Sequence, residues 1–502
     1  MPAAERSAPS ARPRPAWPFV VASFLGYLAL AVWFPLASNV GLVPPGDIRT
    51  FTPTAVSGLL YALLLLGLYL LLFAAFQRMA AGGEPVGPPR LRPLPALLLV
   101  SAGLALPLLF VYPINATDVY RYIIRGRVAS VYGESPYAAP PSQFIGDPFM
   151  PLAGEWTGET SPYGPLWEAA AAGLTSLSGD NLLLGVLLFK LLALGCFLAT
   201  TALLWSLLAN WGDDPRRAAF VALWAWNPAL LLTFVINGHN DALMLVWLLL
   251  GYWMARHGRP AAGFLILCLA ALTKPVAALV LPVFFVALWR SHAGRARVRF
   301  AVAAVTGAVA LVWLAFLPWA SPGRYWQTPL ELVQRLAREA TSAPGFSPAV
   351  WLYFALGQRV PIETIGSVLR MLFLLFAAWV VWRTWRGRPA VRGAADLFLG
   401  YVAQALSFRI WYAVWPMPWL LLDAAAPEDT STAAGSAYRL RAGLWFLLTT
   451  QLSVVLYGHV RVFLLGRDQV MAHLIAVPLV FVLPWLLAIW PVPIGRSLTH
   501  RS

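Results

Sequence analysis

The feature that most constrains this chain is a succession of apolar segments, most of them about 20 residues long, separated by short connections rich in arginine. A helix needs about 20 apolar residues to cross the hydrocarbon core of a bilayer. Of the 502 residues, 60% are hydrophobic and 11% are charged, whereas a soluble domain is about a quarter charged. The sequence therefore predicts an all-α, polytopic integral membrane protein with about 12–14 transmembrane helices.

The net charge of +15 does not indicate nucleic-acid binding, because the arginines lie in short connections between apolar segments. Examples are the connections at 290–299 and 383–392, and loops of this kind are retained on the cytoplasmic side. Alternate crossings counted from a cytoplasmic N-terminus place both connections inside. We therefore expect a multi-pass protein of the plasma (inner) membrane whose N- and C-termini are cytoplasmic.

The apolar pattern divides the chain into a cytoplasmic tail at 1–16, a transmembrane region at 17–425, and a C-terminal transmembrane hairpin with a short cytoplasmic tail at 426–502. Two long connections, at about 113–164 and 321–360, are predicted to lie outside the cytoplasm. Connections longer than about 12–15 residues are uncommon unless they are functional. Both contain amphipathic helical stretches that suit the membrane interface.

Two segments depart from a simple crossing. Residues 165–178 are apolar but too short to span, so we expect a helix that dips into the membrane or lies at its surface. The apolar run at 260–290 is interrupted by Lys274-Pro275. Because proline breaks a helix, two shorter helices are predicted to meet there.

The first long connection carries charges at helical spacing. Thr117 can cap a helix that starts at Asp118, and on that helix Asp118, Arg121, Tyr122 and Arg125 share one face. A carboxylate beside two guanidinium groups could accept a proton from a hydroxyl group while the arginines hold a phosphate. The alternative is an ion-paired helix at the interface with no catalytic role.

Two tyrosines lie in rigid turns of the same connection. Tyr137 ends a turn at 133–137, and Tyr163 lies in a second turn at 161–167; both turns combine glycine with proline. Aromatic rings at a wet interface can stack on sugars. They can also anchor the protein at the membrane surface, and the sequence leaves both roles open.

A second polar cluster, Asn237-Gly238-His239-Asn240-Asp241, lies at the predicted outer junction of two spans. Polar residues are costly in an apolar setting, so their presence indicates a function. The alternative is a helix-capping turn. One histidine, one aspartate and two asparagines are poor candidates for a closed metal site, so we expect neither a metal nor another cofactor.

Lysine is rare in this chain. Of its 36 basic residues only Lys190 and Lys274 are lysine, and both lie within apolar segments, where charge is costly. A chain that otherwise uses arginine and keeps lysine at these depths indicates that a compact ammonium is required. The alternatives are snorkelling to the interface or pairing with a buried carboxylate.

Further basic and aromatic residues lie in late connections that are predicted to face outside. Arg409, Trp411 and Tyr412 lie in one connection, and Arg461 lies in the next. Cations at the membrane face opposite to the usual cytoplasmic bias indicate an anionic ligand. A polyprenyl phosphate fits, because its chain is a lipid and its head group is an anion.

Taken together, these stretches resemble the GT-C-type glycosyltransferases, most closely the bacterial polyprenol-phosphate-mannose-dependent α-(1→6)-mannopyranosyltransferases. The resemblance spans roughly 115–420 and departs from the family pattern at Asn237, where a second glycine is expected. The matching stretches are Thr117-Asp118-Val119-Tyr120-Arg121-Tyr122, Ser135-Pro136-Tyr137, Pro162-Tyr163-Gly164-Pro165, Trp226-Asn227-Pro228, Gly238-His239-Asn240-Asp241-Ala242-Leu243-Met244, Thr273-Lys274-Pro275 and Trp411-Tyr412 followed by Trp415.

The resemblance implies a GT-C-like catalytic region at 17–425 and a metal-independent, inverting transfer of a hexose, expected to be mannose. The expected partners are a polyprenyl-phosphate sugar donor, a glycan or glycolipid acceptor outside the cytoplasm, and membrane lipid. Asp118 would be the catalytic base. The residues expected to bind the donor phosphate are Arg121, Arg125, Lys190, Lys274, Arg409 and Arg461. Those expected to position the sugar or the acceptor are Tyr122, Tyr137, Tyr163, His239, Asn240, Asp241, Trp411 and Tyr412.

A transporter or flippase for a lipid-linked or small polar solute is the alternative from another functional class. Transporters carry polar groups near the bilayer midplane and are often built from internal repeats. Here the polar groups concentrate at one predicted face, with only Lys190 well inside, which favours an enzyme. A ligase or polymerase for lipid-linked oligosaccharides would share the outward site and differ mainly in its donor.

Overall fold

The computed structural model describes residues 15–81, 91–209, 214–320, 325–342, 345–425 and 430–490. Over these residues the regular structure is helical, apart from one isolated β-bridge between Pro35 and Val111. The all-α prediction is therefore confirmed. Most of the predicted cytoplasmic tail at 1–16, and the end of the chain from 491, lie outside the described residues.

The α-helices fall into two groups along the chain, divided at the break after residue 273. The first group comprises α1 (Trp17–Trp33), α2 (Leu36–Asn39), α3 (Ile48–Phe51), α4 (Ala55–Ala80), α5 (Pro93–Ala105), α6 (Asp118–Ser130), α7 (Pro165–Ser178), α8 (Leu182–Leu207), α9 (Asp214–Ala225), α10 (Pro228–Leu231), α11 (Asp241–Arg256) and α12 (Pro260–Thr273). The second group comprises α13 (Leu281–Arg290), α14 (Gly294–Phe316), α15 (Gln327–Ser342), α16 (Pro348–Ala355), α17 (Ile362–Trp385), α18 (Ala390–Gln404), α19 (Met417–Ala425), α20 (Thr430–Val455), α21 (Arg461–Phe463), α22 (Gln469–Phe481) and α23 (Leu483–Leu487).

Within the described ranges, seven helical segments are long and apolar enough to cross a membrane, so the protein is a multi-pass membrane protein. A bent pair, Asp214–Ala225 with Pro228–Ile236, makes an eighth candidate with a 48° bend. The predicted 12–14 crossings would also need shorter apolar helices such as Trp17–Trp33 and Pro260–Thr273, and that number stays a prediction. The seven segments are Ala55–Ala80, Pro93–Phe110, Leu182–Leu207, Gly294–Trp319, Ile362–Trp385, Ala433–Phe463 and Gln469–Leu487.

These segments differ in how much neighbouring protein covers them. Only 17% of the apolar window of Gly294–Trp319 and 22% of that of Ile362–Trp385 is buried, against 67% for Ala433–Phe463. Apolar surface on this scale needs a nonpolar solvent. The first two segments therefore face lipid, and the third forms the centre of the helix bundle.

The irregular segments predicted from the sequence are present. The apolar run at 260–290 breaks at Lys274, which has an extended backbone between the end of α12 and a 3₁₀ helix at Pro275–Val280. Residues 165–178 form the short helix α7, which packs against α6 and α8. The two amphipathic stretches of the long connections contain α6 and α15. The positions of these helices relative to the membrane stay predictions.

Connections that carry the predicted site residues meet at one end of the bundle, which we call the site end. The backbone amide of Gly164 donates to the carbonyl of Thr273 at 3.1 Å, which joins the first long connection to the break after α12. The connection between α18 and α19 contacts the start of α11, because the indole of Trp415 donates to Asp241 there. Residues far apart in the sequence thus form one cluster.

Candidate active site

The carboxylate of Asp118 is placed by the start of α6. The helix begins at Asp118, as predicted, although the side chain of Thr117 makes no capping hydrogen bond. An acidic residue in the first turn is favoured by the partial positive charge at a helix N-terminus. The Asp118 side chain is buried, so its state depends on the groups around it.

Asp118 makes two long polar contacts. Its Oδ1 atom accepts from the hydroxyl of Tyr163 at 3.4 Å and from Nη1 of Arg121 at 3.4 Å. Burial raises the pKa of Asp118, but the positive charges of Arg121, Lys274 and Arg409 lower it, and the net pKa lies below its usual range. Asp118 is therefore an anion at neutral pH.

Asp241 is also buried, but it is tightly paired. Nζ of Lys274 lies 2.8 and 2.9 Å from its two carboxylate oxygens and 3.1 Å from Oδ1 of Asn240, and the indole of Trp415 donates to the same carboxylate. This is the pairing with a buried carboxylate that the sequence leaves open for Lys274. The Lys274 side chain is 12% exposed, and these three oxygens occupy its three ammonium hydrogens.

His239 stands between these two carboxylates. Its Nδ1 atom is 3.5 Å from the hydroxyl of Tyr122 and 3.7 Å from Oδ2 of Asp241, and its ring packs against Trp411 with centroids 4.3 Å apart. Burial lowers the pKa of His239 to about 4, so the ring is neutral at physiological pH. Among the described residues, neither Nε2 of His239 nor the side-chain nitrogen of Asn240 has a hydrogen-bond partner, although both are buried. Buried polar atoms without a partner are rare and call for an explanation such as a bound ligand or water.

Tyr163 is held on several sides. Its ring packs edge-on against Tyr122 with centroids 5.3 Å apart, and the guanidinium of Arg125 lies 5.9 Å from the ring centroid. Its backbone carbonyl accepts from the hydroxyl of Tyr137 at 2.9 Å. Tyr137 and Arg125 therefore support Tyr163 from behind and do not themselves contact Asp118.

Comparison with known proteins identifies a family that this chain matches. The MptA_B family, described as "Alpha-(1->6)-mannopyranosyltransferase, N-terminal domain", matches residues 23–291, more than half of the chain. The chain belongs to this family. The family resemblance predicted from the sequence motifs is confirmed.

Individual relatives match shorter stretches. The chain is 30% identical over 184 residues to alpha-(1->6)-mannopyranosyltransferase A of Corynebacterium glutamicum, and the aligned stretch covers 36% of each protein. It is 31% identical over 223 residues to alpha-(1->6)-mannopyranosyltransferase A of Mycobacterium tuberculosis, which covers 42% of this chain and 40% of that relative. The chain thus aligns with well under half the length of these MptA_B relatives.

The MptA_B match covers one part of the cluster and leaves another part outside. Asp118, Tyr163, His239 and Lys274 lie within residues 23–291, but the connection that contains Trp411 lies beyond it. In that connection a 3₁₀ helix at Ile410–Val414 starts directly after Arg409, whose charge acts on Asp118. Tyr412 stacks on Trp415 with ring centroids 4.2 Å apart, and so it supports the residue that binds Asp241.

Two of the predicted phosphate ligands are bonded to other groups in this MptA_B protein. Nζ of Lys190 is fully buried and donates to the carbonyls of Leu108 and Leu109 at 3.2 and 2.9 Å, and also to that of Val111. All three ammonium hydrogens are thereby used, so Lys190 has no donor left for a phosphate. Arg461 stacks on Tyr457 at 4.9 Å, and its Nε donates to the Tyr457 carbonyl.

Sequence reasoning assigned no role to several residues at the edge of the cluster. Trp415 is one, although it lies in a matching motif. The others belong to the segment 154–160, where the guanidinium of Arg121 lies 4.8 Å from the Trp156 ring centroid and Glu159 pairs at 2.8 Å with Arg335 of α15. This segment has no periodic pattern, so no local signal could have placed it beside α6.

Proposed function

We propose that the protein transfers a mannosyl group from a polyprenyl-phosphate donor to a hydroxyl group of a glycan or glycolipid, with Asp118 as the catalytic base. Its relatives in the MptA_B family are named as alpha-(1->6)-mannopyranosyltransferases, which supports the sugar and the reaction class. The linkage that this chain would make is carried over from those names. The catalytic region would be the predicted GT-C-like part at 17–425.

The single observation that carries the proposal is the contrast between two buried carboxylates in one cluster. Asp241 is paired with Lys274 and accepts from the indole of Trp415, so its oxygens are already bonded to protein donors. Asp118 has two contacts of 3.4 Å, one of which is its ion pair with Arg121, and no closer partner among the described residues. A carboxylate oxygen that is charged, buried and loosely bonded is the one that can take a proton from an acceptor hydroxyl.

The reaction needs one base and a set of cations. The acceptor oxygen attacks the anomeric carbon of the sugar, the bond from that carbon to the phosphate oxygen breaks, and the polyprenyl phosphate leaves with the electron pair. The hydroxyl proton passes to Asp118. Because phosphate is a competent leaving group, no general acid is required, and positive charge near the departing oxygen supplies the stabilisation.

Arg121 and Arg409 are the best candidates for that charge. The Arg121 side chain is 22% exposed at the edge of the cluster, and the charge of Arg409 reaches Asp118. An anionic donor bound to these cations would offset their effect on Asp118 and raise its pKa. Asp118 would therefore become a stronger base when the donor is bound.

In this proposal, the buried polar atoms that lack a partner among the described residues bind the sugar. Nε2 of His239 and the side-chain nitrogen of Asn240 are buried, and the His239 ring packs against the Trp411 ring. A sugar hydroxyl can both accept from and donate to such groups, and its apolar face can pack on an aromatic ring. These three residues would hold the sugar ring while Asp118 acts on the attacking hydroxyl.

The side of the membrane is also part of the proposal. The helix α13 separates the arginine-rich connection at 290–299 from the break at Lys274, and α18 separates the connection at 383–392 from Arg409. Both connections are therefore expected at the end of the bundle away from the cluster, and such connections are retained in the cytoplasm. The site end would then face outside the cytoplasm, where a lipid-linked donor, and not a soluble nucleotide sugar, is the available source of mannose.

The test is direct transfer by the purified protein in lipid nanodiscs. Polyprenyl-phosphate mannose labelled in the sugar is incubated with octyl α-mannoside as acceptor, and the product is separated and its linkage determined. GDP-mannose and polyprenyl-phosphate glucose serve as alternative donors. Transfer from the lipid-linked mannose alone is the expected result, and the absence of transfer from it would refute the proposal.

A further inference from the structure

A third buried carboxyl group lies behind the cluster, on α7. The Glu168 side chain is 1% exposed, and its Oε1 atom accepts a hydrogen bond from the hydroxyl of Ser161. Its Oε2 atom is buried and has no hydrogen-bond partner in the described part of the chain. An isolated polar atom of this kind is costly, so its position calls for a functional explanation.

The Ser161 hydroxyl links Glu168 to Tyr163. While it donates to Glu168, its oxygen accepts from the backbone amide of Tyr163 at 3.1 Å. The hydroxyl of Tyr163 in turn lies 3.4 Å from Asp118. Glu168 is therefore connected to Asp118 through one side chain, one backbone amide and one tyrosine.

The same turn also contacts the segment that carries Lys274. The amide of Gly164 donates to the carbonyl of Thr273, and a Cβ atom on Gly164 would lie 2.0 Å from the carbonyl oxygen of Leu272. Only glycine allows the two backbones to approach this closely. A shift of the turn at 161–164 would therefore move Tyr163 and the backbone next to Lys274 together.

We propose that Glu168 is a positioning residue that fixes the turn at 161–164 through Ser161 and thereby holds the Tyr163 hydroxyl against Asp118. This inference rests on the proposed role of Asp118 as the base. Glu168 itself does not contact Asp118, because Ser161 and Tyr163 lie between the two carboxyl groups. Its effect on catalysis is expected in turnover and not in donor affinity.

The protonation state of Glu168 gives the inference a measurable signature. Burial raises the pKa of its carboxyl group from 4.5 to about 7, and the titratable groups that face it are Arg125 on α6 and Tyr137 in the loop. The neutral acid is present below about pH 7. Ionisation would attract the Arg125 guanidinium, whose Nε has no partner, away from the Tyr163 ring.

The experiment compares Glu168→Leu, Glu168→Gln and Ser161→Ala with Thr175→Val in the full-length protein. Thr175 lies two turns further along α7 and is buried, but it bonds to Ser130 and to carbonyls of its own helix. Transfer from polyprenyl-phosphate mannose to octyl α-mannoside is measured between pH 5.5 and 8.5. Glu168→Leu and Ser161→Ala are expected to lower kcat about tenfold or more, with donor KM changed less than about threefold.

The conservative variant separates position from charge. The wild-type rate is expected to fall above about pH 7, where Glu168 ionises. Glu168→Gln keeps an acceptor for Ser161 and cannot ionise, so it is expected to keep most of kcat and to lose that fall. A kcat for Glu168→Leu within about twofold of that of Thr175→Val would overturn the inference. A wild-type fall in rate that persists unchanged in Glu168→Gln would overturn it as well.

Amide hydrogen exchange provides a readout that does not depend on activity. Peptides that cover 161–166 are expected to exchange faster in Glu168→Leu and Ser161→Ala than in Thr175→Val, because the turn loses its side-chain anchor. If the wild-type protein transfers no mannose, the proposed function fails, and exchange alone then decides about Glu168. Unchanged exchange would overturn the positioning role whether or not the protein transfers mannose.

Discussion

Two regions of the molecule contain aspartates beside arginines, and the hydrogen bonds of these aspartates differ between the two regions. In the bundle away from the site end, Asp423 near the end of α19 accepts from Arg392, Ser436 and Arg439 at 3.0, 3.0 and 3.2 Å. Asp396 in the first half of α18 pairs with Arg388 and Arg439. At the site end, the two contacts of Asp118 are both 3.4 Å.

The difference indicates what each arrangement is for. A carboxylate can accept about four hydrogen bonds, and one that is fully bonded to arginines stays ionised and fixed. Such a cluster ties α18, α19 and α20 together. A carboxylate that has few hydrogen bonds, all of them long, can still bond to a substrate. Catalytic hydrogen bonds are often long before the substrate binds. Tight bonding thus favours stability, and loose bonding favours chemistry.

The strongest test of this comparison is the pair Asp118→Asn and Asp423→Asn. Asparagine is nearly isosteric, so Asp118→Asn removes the base with little change in packing, and kcat is expected to fall by about 10²–10⁴-fold. Thermal unfolding in detergent should change little. Steady-state transfer and melting curves measure both effects. Near-normal turnover of Asp118→Asn would place the base elsewhere, and Asp241→Asn identifies whether Asp241 holds that role.

Gly164→Ala is expected to have the next largest effect. The new methyl group would meet the Leu272 carbonyl at 2.0 Å, so the turn and the α12 break must separate. A displacement of about 1 Å at a catalytic group can cost about a hundredfold in rate. Gly173→Ala is the matched control on α7, since nothing lies within 4 Å of a Cβ atom there. Equal activity of the two variants would contradict the close-approach argument.

Lys274 can be tested by a double variant. Lys274→Met leaves the Asp241 carboxylate with the Trp415 indole and a neutral histidine, and about a tenfold loss of kcat/KM is expected from this unbalanced charge. If Lys274 mainly balances Asp241, Lys274→Met combined with Asp241→Asn should recover part of the loss. If Lys274 binds the donor phosphate, donor KM stays raised in both variants. Kinetics over a range of donor concentrations separates the two roles.

Asp423→Asn is expected to change stability and not turnover. Breaking a buried ion pair by removing one partner typically costs about 3–5 kcal/mol, because the remaining charges are left uncompensated. The melting temperature should therefore fall, while kcat of the folded fraction stays within about twofold of that of the wild-type protein. A large loss of kcat without a loss of stability would show that the ion-pair cluster communicates with the site end.

Orientation can be tested with substitutions that leave activity unchanged. Asp147 is unsuitable for a cysteine probe because it is buried and pairs with Arg127 at 2.7 Å, whereas Ile145 is 80% exposed in the same segment. Ile145→Cys in whole cells should react with an impermeant thiol reagent, and Arg295→Cys at the arginine-rich connection should not. The native Cys196 and Cys268 are buried and give little background. Labelling of position 295 with protection of 145 would invert the proposed topology.

The sequence predicted the local features of this site and missed its long-range pairs. Helical spacing placed Asp118 and Arg121 within reach of each other, and the Lys274-Pro275 pair located a real break, because both signals depend on neighbouring residues. The bond of Lys274 to Asp241 depends on how α11 and α12 pack, and spacing carries no information about that. Lys190 is the clearest case: its depth indicated function, but the carbonyls that bind it lie about 80 residues earlier in the chain.

The bonds of Lys190 also bear on how the protein is made. A lysine at the centre of a helix costs about 2.5–3.5 kcal/mol to insert into a bilayer. The carbonyls at Leu108, Leu109 and Val111 precede Lys190 in the chain, so they are synthesised before α8. Bonded to these carbonyls, the amino group of Lys190 does not face lipid. Lys190 in this way fixes the depth at which α8 packs beside α5, and these three bonds are what makes a buried lysine tolerable.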